Sequence, residues 1–343
     1  MDYRFGMRQI WRRVSRRRCV SGFTLLELLV SMLIASIVVS GLLYVVVELL
    51  QIDRREALLS QTQEDTQRAM AYIADDIKES VYIFPDPSVL TQAASPQLDD
   101  LPDSSTPVLA FWKPVPIEES LPDCSRWEPD ATDEDEEKYA QCRVLTIRQA
   151  SYSLVVYLQK ERDDAVDTLW KGASRIIRYE LDQYKDIAEL DITPGYQDPT
   201  SVGFASWEST DDDTEGDRAV LVDFIDAPSV ENPPTTGTNP CLSIGADYTP
   251  VPADVVEEQN PSFYGCVKNP LSAAAIAAIA AAEAAGETPP TFSANANQDI
   301  FLFLRGNARD GAQGVVGVAG ERSALPTLET RVLMRGVLNK SPE

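Results

Sequence analysis

From Leu28 to Val47 the chain runs twenty residues without a charge, dominated by Leu, Val and Ile, and about 20 such residues span a bilayer core as a helix. The pattern then changes. Over residues 51–84 the apolar positions thin to one stripe, Met70, Ile73, Ile77, Val81 and Phe84, at spacings of three and four, with polar residues elsewhere. No proline lies between Phe23 and Phe84, Glu64 and Arg68 stand as an i, i+4 pair, and Pro85 and Pro87 stop the pattern. The spacing predicts one helix from 23 to about 84, roughly 90 Å long. Its first half would sit in a membrane and its second half would serve as a spine for a sheet.

Beyond residue 84 the apolar runs shorten to strand length. Val108–Trp112, Arg143–Ile147, Tyr152–Leu158, Arg175–Leu181, Ala219–Ile225, Ile300–Leu304 and Thr330–Leu338 are the candidate strands. Ile300–Leu304 is apolar throughout and suits a central position. A long helix followed by strands is the order of an α+β fold, with an antiparallel β-sheet and long inserted loops. Three stretches read as insertions. Residues 271–285 are mostly alanine and suit a surface helix, residues 130–137 are an acidic run suited to a solvated loop, and residues 226–262, rich in Pro, Thr and Asn, suit irregular structure.

Charge sharpens this division. Residues 1–22 hold seven arginines and one acid, a charge of +6, whereas the whole chain carries -24, so the other 321 residues carry -30. A basic head before an apolar run holds the N-terminus in the cytoplasm and sends the body across the membrane. The apolar run is longer than the h-region of an ordinary secretory signal and is not followed by a small-x-small cleavage site. The absence of histidine removes Ser-His-Asp and Cys-His nucleophiles and His-ligated zinc or haem. Nucleic acid is not an expected partner, because the only basic patch is the extreme N-terminus.

Glu27 is out of place in this apolar region, where an unpaired carboxylate costs several kcal/mol. It closes the string Gly22-Phe23-Thr24-Leu25-Leu26-Glu27, which, behind its basic leader, resembles the class III signal of type IV prepilins and type II secretion pseudopilins. The resemblance implies cleavage by a prepilin peptidase between Gly22 and Phe23 and N-methylation of Phe23. It also implies a carboxylate at Glu27 that pairs with the N-terminal amine of a neighbouring subunit during filament assembly. The chain would then divide into a cleaved leader 1–22, a transmembrane half 23–50, an amphipathic half 51–84 and a β-rich periplasmic or extracellular body 85–343.

The implied partners are the prepilin peptidase, other pilins or pseudopilins through the N-terminal helix, and an inner-membrane assembly platform. Gln67–Ile77 resembles the spine of PilW and PulJ type minor pilins. Trp170–Tyr179 and Leu304–Ala308 resemble the hormogonium polysaccharide secretion pseudopilins of cyanobacteria. A structural, non-enzymatic subunit of a pilus or of a motility- or secretion-linked pseudopilus is the function these resemblances imply.

Cys19 falls in the leader, leaving Cys124, Cys142, Cys241 and Cys266 on the oxidising side of the membrane. Of three possible pairings the simplest joins Cys124 to Cys142 and Cys241 to Cys266. Asp211, Asp213, Glu215 and Asp217, with Gly216, resemble the first half of a calcium loop, but the second half is missing. A hydrated acidic turn is the preferred reading, with calcium the one cofactor expectation. A competing function is a single-pass anchored carbohydrate-binding protein or adhesin using Trp112, Trp127, Trp170 and Trp207 as a sugar platform; such tryptophans are more often core residues. Nothing in the spacing of the acids supports an enzyme.

Overall fold

The computed structural model describes residues 22, 24–91, 98, 100–117, 123–127, 133–163, 165–204, 207–210, 214–227, 239–253, 261–268, 299–308 and 325–334. The chain forms two compact units, residues 1–53 and 54–343.

The first helix, α1, runs Leu25–Lys78. Its apolar segment belongs to the first unit, where every described residue from Leu25 to Leu50 is exposed. It is the one described helix long and apolar enough to cross a membrane. In the second unit the helix becomes striped and buries Thr62, Thr66, Ala69, Met70, Ile73, Ala74, Asp76 and Ile77. The Glu64–Arg68 pair forms at 2.5 Å.

The helix stops six residues short of the expected end. The Glu79 and Ser80 amides donate to the carbonyls three residues back, and the Ser80 hydroxyl donates to the Ile77 carbonyl at 2.6 Å, tightening the last turn. Val81 N–H then donates to the Trp112 carbonyl, so the chain has already joined a sheet. Val81 and Phe84, expected on the helical stripe, pack instead with Trp112 in a different core cluster.

A five-stranded antiparallel sheet follows, ordered β1-β2-β3-β4-β7. It comprises β1 (Tyr82–Ile83), β2 (Ser105–Pro116), β3 (Ala150–Glu161), β4 (Ser174–Leu181) and β7 (Asp217–Ile225). A second antiparallel sheet, β11-β10-β9-β8, comprises β8 (Tyr248–Val251), β9 (Phe263–Lys268), β10 (Asp299–Leu304) and β11 (Leu328–Leu333). A small hairpin of β5 (Tyr184–Asp186) and β6 (Asp191–Ile192) completes the described strands. This is an α+β, pilin-like architecture: a long apolar N-terminal helix followed by antiparallel sheets.

The buried stripe of α1 shares one core with both large sheets, including Phe111, Val155, Tyr157, Ile176, Ile300 and Leu302. The opposite face of the five-stranded sheet buries Trp112, Leu154, Val156, Tyr179 and Leu181 beneath Tyr196 and Trp207. Strand β10 is interior, as its unbroken apolar run implies. Among the described strands only the two-residue β1 pairs with the outer edge of β2. There Pro114 and Pro116 share the outward parity of Trp112, whose carbonyl faces Val81, so two donors are missing from that edge.

Three local expectations are corrected. The acidic loop at 130–137 and the strand at Arg143–Ile147 are replaced over their described residues by one helix, α2 (Asp133–Arg148). Acidic residues early in a helix favour its positive end, Glu134 pairs with Lys138 at 3.0 Å, and Cys142 and Leu145 bury a face against Trp127 and Leu190. Those contacts outweigh the strand propensity of Val144, Thr146 and Ile147. Within the supposedly irregular 226–262, a short helical turn (Pro240–Ser243) and β8 are formed, pinned beside β9 by a disulfide. The alanine-rich 271–285, and residues 335–338 of the last candidate strand, lie outside the described residues.

Candidate functional site

The string that stands out in the sequence heads α1. Gly22 is exposed, and a Cβ built on it would meet no atom within 4 Å. Phe23 lies outside the described residues. Thr24 begins the helix: its hydroxyl accepts from the Glu27 amide at 3.3 Å and its carbonyl from the Leu28 amide at 3.2 Å. Thr24 and Glu27 therefore have the spacing of a capping box, a signal readable in T-x-x-E. Glu27 lies in the first turn, where a carboxylate faces the positive end of the helix dipole. Its exposed position leaves the carboxylate available to a group outside the unit.

A second constellation was not foreseen. Asp76, buried on the inner face of α1, accepts from Arg178 Nε at 2.8 Å, Tyr157 Oη at 2.7 Å and Lys113 Nζ at 3.0 Å. Glu180 closes the network, 2.6 Å from Arg178 and 3.3 Å from Lys113. Two anions thus meet two cations at the joint between the helix and β2, β3 and β4. Burial alone would raise the Asp76 carboxyl, but the hydrogen bonds from Arg178 and Tyr157 and the nearby cationic charges hold it below the ordinary aspartate value. Glu180 is lowered likewise, against burial, by Arg178 and Lys113. Burial and the Asp76 charge push the Tyr157 phenol well up. The constellation fixes the register of helix on sheet.

The other candidates resolve as follows. Cys124 is bonded to Cys142, and Cys241 to Cys266, each pair with Cα atoms 5.6 Å apart. The first bond ties the turn Cys124–Arg126 to α2; the second ties the turn before β8 to β9. Asp211 and Asp213 lie outside the described residues. Glu215 is paired with Lys185, and Asp217 begins β7. Among the described residues no group of three or more His, Cys, Asp or Glu side chains is arranged to hold a metal.

Trp112, Trp127 and Trp207 are buried, in two different clusters, and Trp170 is half-buried beneath the Arg175 guanidinium, 5.6 Å from its ring centre. The four do not make an exposed platform.

Residues 17–43 match the family model described as the prokaryotic N-terminal methylation motif. No curated protein and no solved structure matches the chain. The matched segment carries a prepilin-type N-terminus and runs from the end of the basic stretch, through Gly22 and Glu27, into the apolar half of α1.

Proposed function

We propose that this chain is a minor pilin or pseudopilin, a low-copy structural subunit of a type IV pilus or related secretion filament that serves motility or polysaccharide export. The observation that carries the reading is the methylation-motif match at residues 17–43, placed where a capped, wholly exposed apolar helix begins. In this reading the apolar helix stores the subunit in the inner membrane, leader in the cytoplasm and body outside. Prepilin peptidase cuts after Gly22, Phe23 becomes an N-methylated terminus, and an assembly platform moves the helix into a filament of sister helices.

Glu27 supplies the register signal. Inside an apolar bundle a carboxylate is costly until an opposite charge meets it, and the Phe23 amine of a neighbour is that charge. The body acts as a folded, exposed load on this helix and performs no chemistry. Its 259 residues from 85 onward favour a tip or low-copy position over a place in a tight repeating array.

Mass spectrometry of the protein from its native host tests the reading. A chain starting at N-methylated Phe23, recovered from sheared filaments at a small fraction of the major subunit, is the expected result. A chain starting at Met1 overturns it. Glu27→Gln separates the two roles of this residue, because glutamine serves a capping box but carries no charge. Incorporation should fall about a hundredfold, as expected when a pairing worth about 3 kcal/mol is broken in apolar surroundings.

A further inference from the structure

Helix α2 is held to the body by few ties. Of its described side chains only Cys142 and Leu145 are buried, and they pack outside the two large cores, in a small separate cluster with Trp127 and Leu190. At its C-terminal end Arg148 pairs with Asp198 at 2.9 Å, donates to Thr200 at 3.0 Å and lies over the Tyr152 ring. Sixteen residues is close to the length at which an isolated helix is marginal in water. Val144, Thr146 and Ile147 are β-branched, which lowers the helix propensity of its second half. The folded helix therefore leans on the bond from Cys142 to Cys124, which joins residues 18 apart in the chain.

The two disulfides differ in access. Cys241 and Cys266 are both fully buried and pack with Tyr248, so no thiol reaches either sulfur while β8 and β9 are folded. Cys142 is also buried, at 1% exposure. Cys124 is half-buried, in a turn whose other residues Asp123, Ser125 and Arg126 are exposed, and of the four bonded cysteines it alone is not buried. Thiol–disulfide exchange begins when a thiolate reaches one sulfur of the bond, so access sets which bond is attacked.

We propose that the Cys124–Cys142 bond is a redox latch on α2: a dithiol reductant opens it while Cys241–Cys266 stays closed, and α2 melts on a body whose two large sheets remain folded. The reductant's thiolate attacks Cys124 Sγ, forms a mixed disulfide and displaces Cys142 Sγ, which takes up a proton. The reductant's second thiol then attacks its own sulfur in the mixed disulfide, closes the reductant's disulfide and releases Cys124 as a thiol. Two electrons and two protons pass from reductant to protein. Closed, the latch presents Val144 and Ile147, 46% and 82% exposed, on an ordered helix, and keeps Arg148 on Asp198, the N-cap of the short helix Pro199–Val202. Open, it disperses that ridge and releases that cap. The latch is a property of the body alone and stands or falls apart from the filament reading.

The test uses the full chain with Cys19→Ser in detergent, dithiothreitol as the reductant, iodoacetamide to trap free thiols for peptide mapping, and amide exchange to follow the helix. Cys124 and Cys142 should be trapped roughly tenfold faster than Cys241 and Cys266. Amides of α2 should then exchange about a hundredfold faster, as release of an 18-residue constraint implies, with β3, β4, β9 and β10 unchanged. Oxidised glutathione should restore the slow rates. Trapping of all four cysteines at one rate, or a reduced bond beneath an α2 that stays protected, overturns the latch. Exchange that quickens through the sheets as well also overturns it, because the bond would then support the whole body, and so does protection that re-oxidation fails to restore. The double variant Cys124→Ser, Cys142→Ser supplies the open state without reagent: fast α2 amides over protected sheets are expected, and slow α2 amides there overturn the latch.

Discussion

The two halves of α1 share one backbone and have opposite relations to the rest of the molecule. Between Leu25 and Leu50 every side chain is exposed, whereas between Thr62 and Ile77 a stripe of side chains is buried. A helix that is apolar all round must find its solvent outside the chain, in lipid or among sister helices, while a striped helix brings its partner along in the same sequence. The first half therefore contributes to location and assembly and the second to the stability of the body. Substitutions in the two halves should fail in different ways.

The largest stability effect is expected at Asp76, the one charge on the inner stripe. Asp76→Asn leaves Arg178 and Lys113 with Glu180 alone, and losing one partner of such a buried set costs about 4 kcal/mol. Urea unfolding of the full chain in detergent, followed through the buried tryptophans, reads this loss. The pH dependence carries the same signature. Because the folded Asp76 carboxyl lies below its ordinary 3.8, its contribution is fully present above that value and drains away as pH falls through the folded value. The variant should lose less stability than the wild type between neutral and acid pH. A variant that follows the wild-type acid profile unchanged would remove Asp76 from the joint.

Next in size is the paired substitution Ile73→Ala and Ile34→Ala. Ile73 is fully buried in the core shared by both sheets, so its truncation should cost about 3 kcal/mol of body stability. Ile34 is exposed on the apolar half, and the same truncation there should leave body unfolding within about 0.5 kcal/mol of the wild type. Equal losses at the two positions would break the division between the halves.

This division was readable in the sequence, because it depends on the period of apolar residues, a local property. Most of the longer strands were readable for the same reason: β2, β3, β4, β7 and β10 each contain an apolar run strong enough to be seen alone. Strand β9 was not. Its Gly265 weakens the pattern, and a Cβ there would fall 2.8 Å from the terminal methyl of Ile300 on the neighbouring β10. Helix α2 was hidden because Val144 and Ile147 mimic a strand, and the disulfide to Cys124 and the contact with Leu190 arise only on folding. The Asp76 joint was beyond local reading altogether. It draws residues 76, 113, 157, 178 and 180 from four elements, and none of them is unusual in its own neighbourhood.

The smallest expected effect lies at the N-terminal end of α1. Thr24 caps α1 through the Glu27 amide, and Thr24→Ala should cost the helix end about 1 kcal/mol without touching the body. Hydrogen exchange of the first-turn amides in detergent should then quicken roughly fivefold, since that energy sets the fraying equilibrium, while Thr24→Ser keeps the hydroxyl and the wild-type rate. Glu27→Gln, which leaves Thr24 and the Glu27 amide bond in place, should leave these rates alone even as it removes the charge that the proposed docking uses. Slow amides in Glu27→Gln together with failed incorporation would assign Glu27 to recognition between subunits. Fast amides together with failed incorporation would reduce its role to holding the first turn of its own helix.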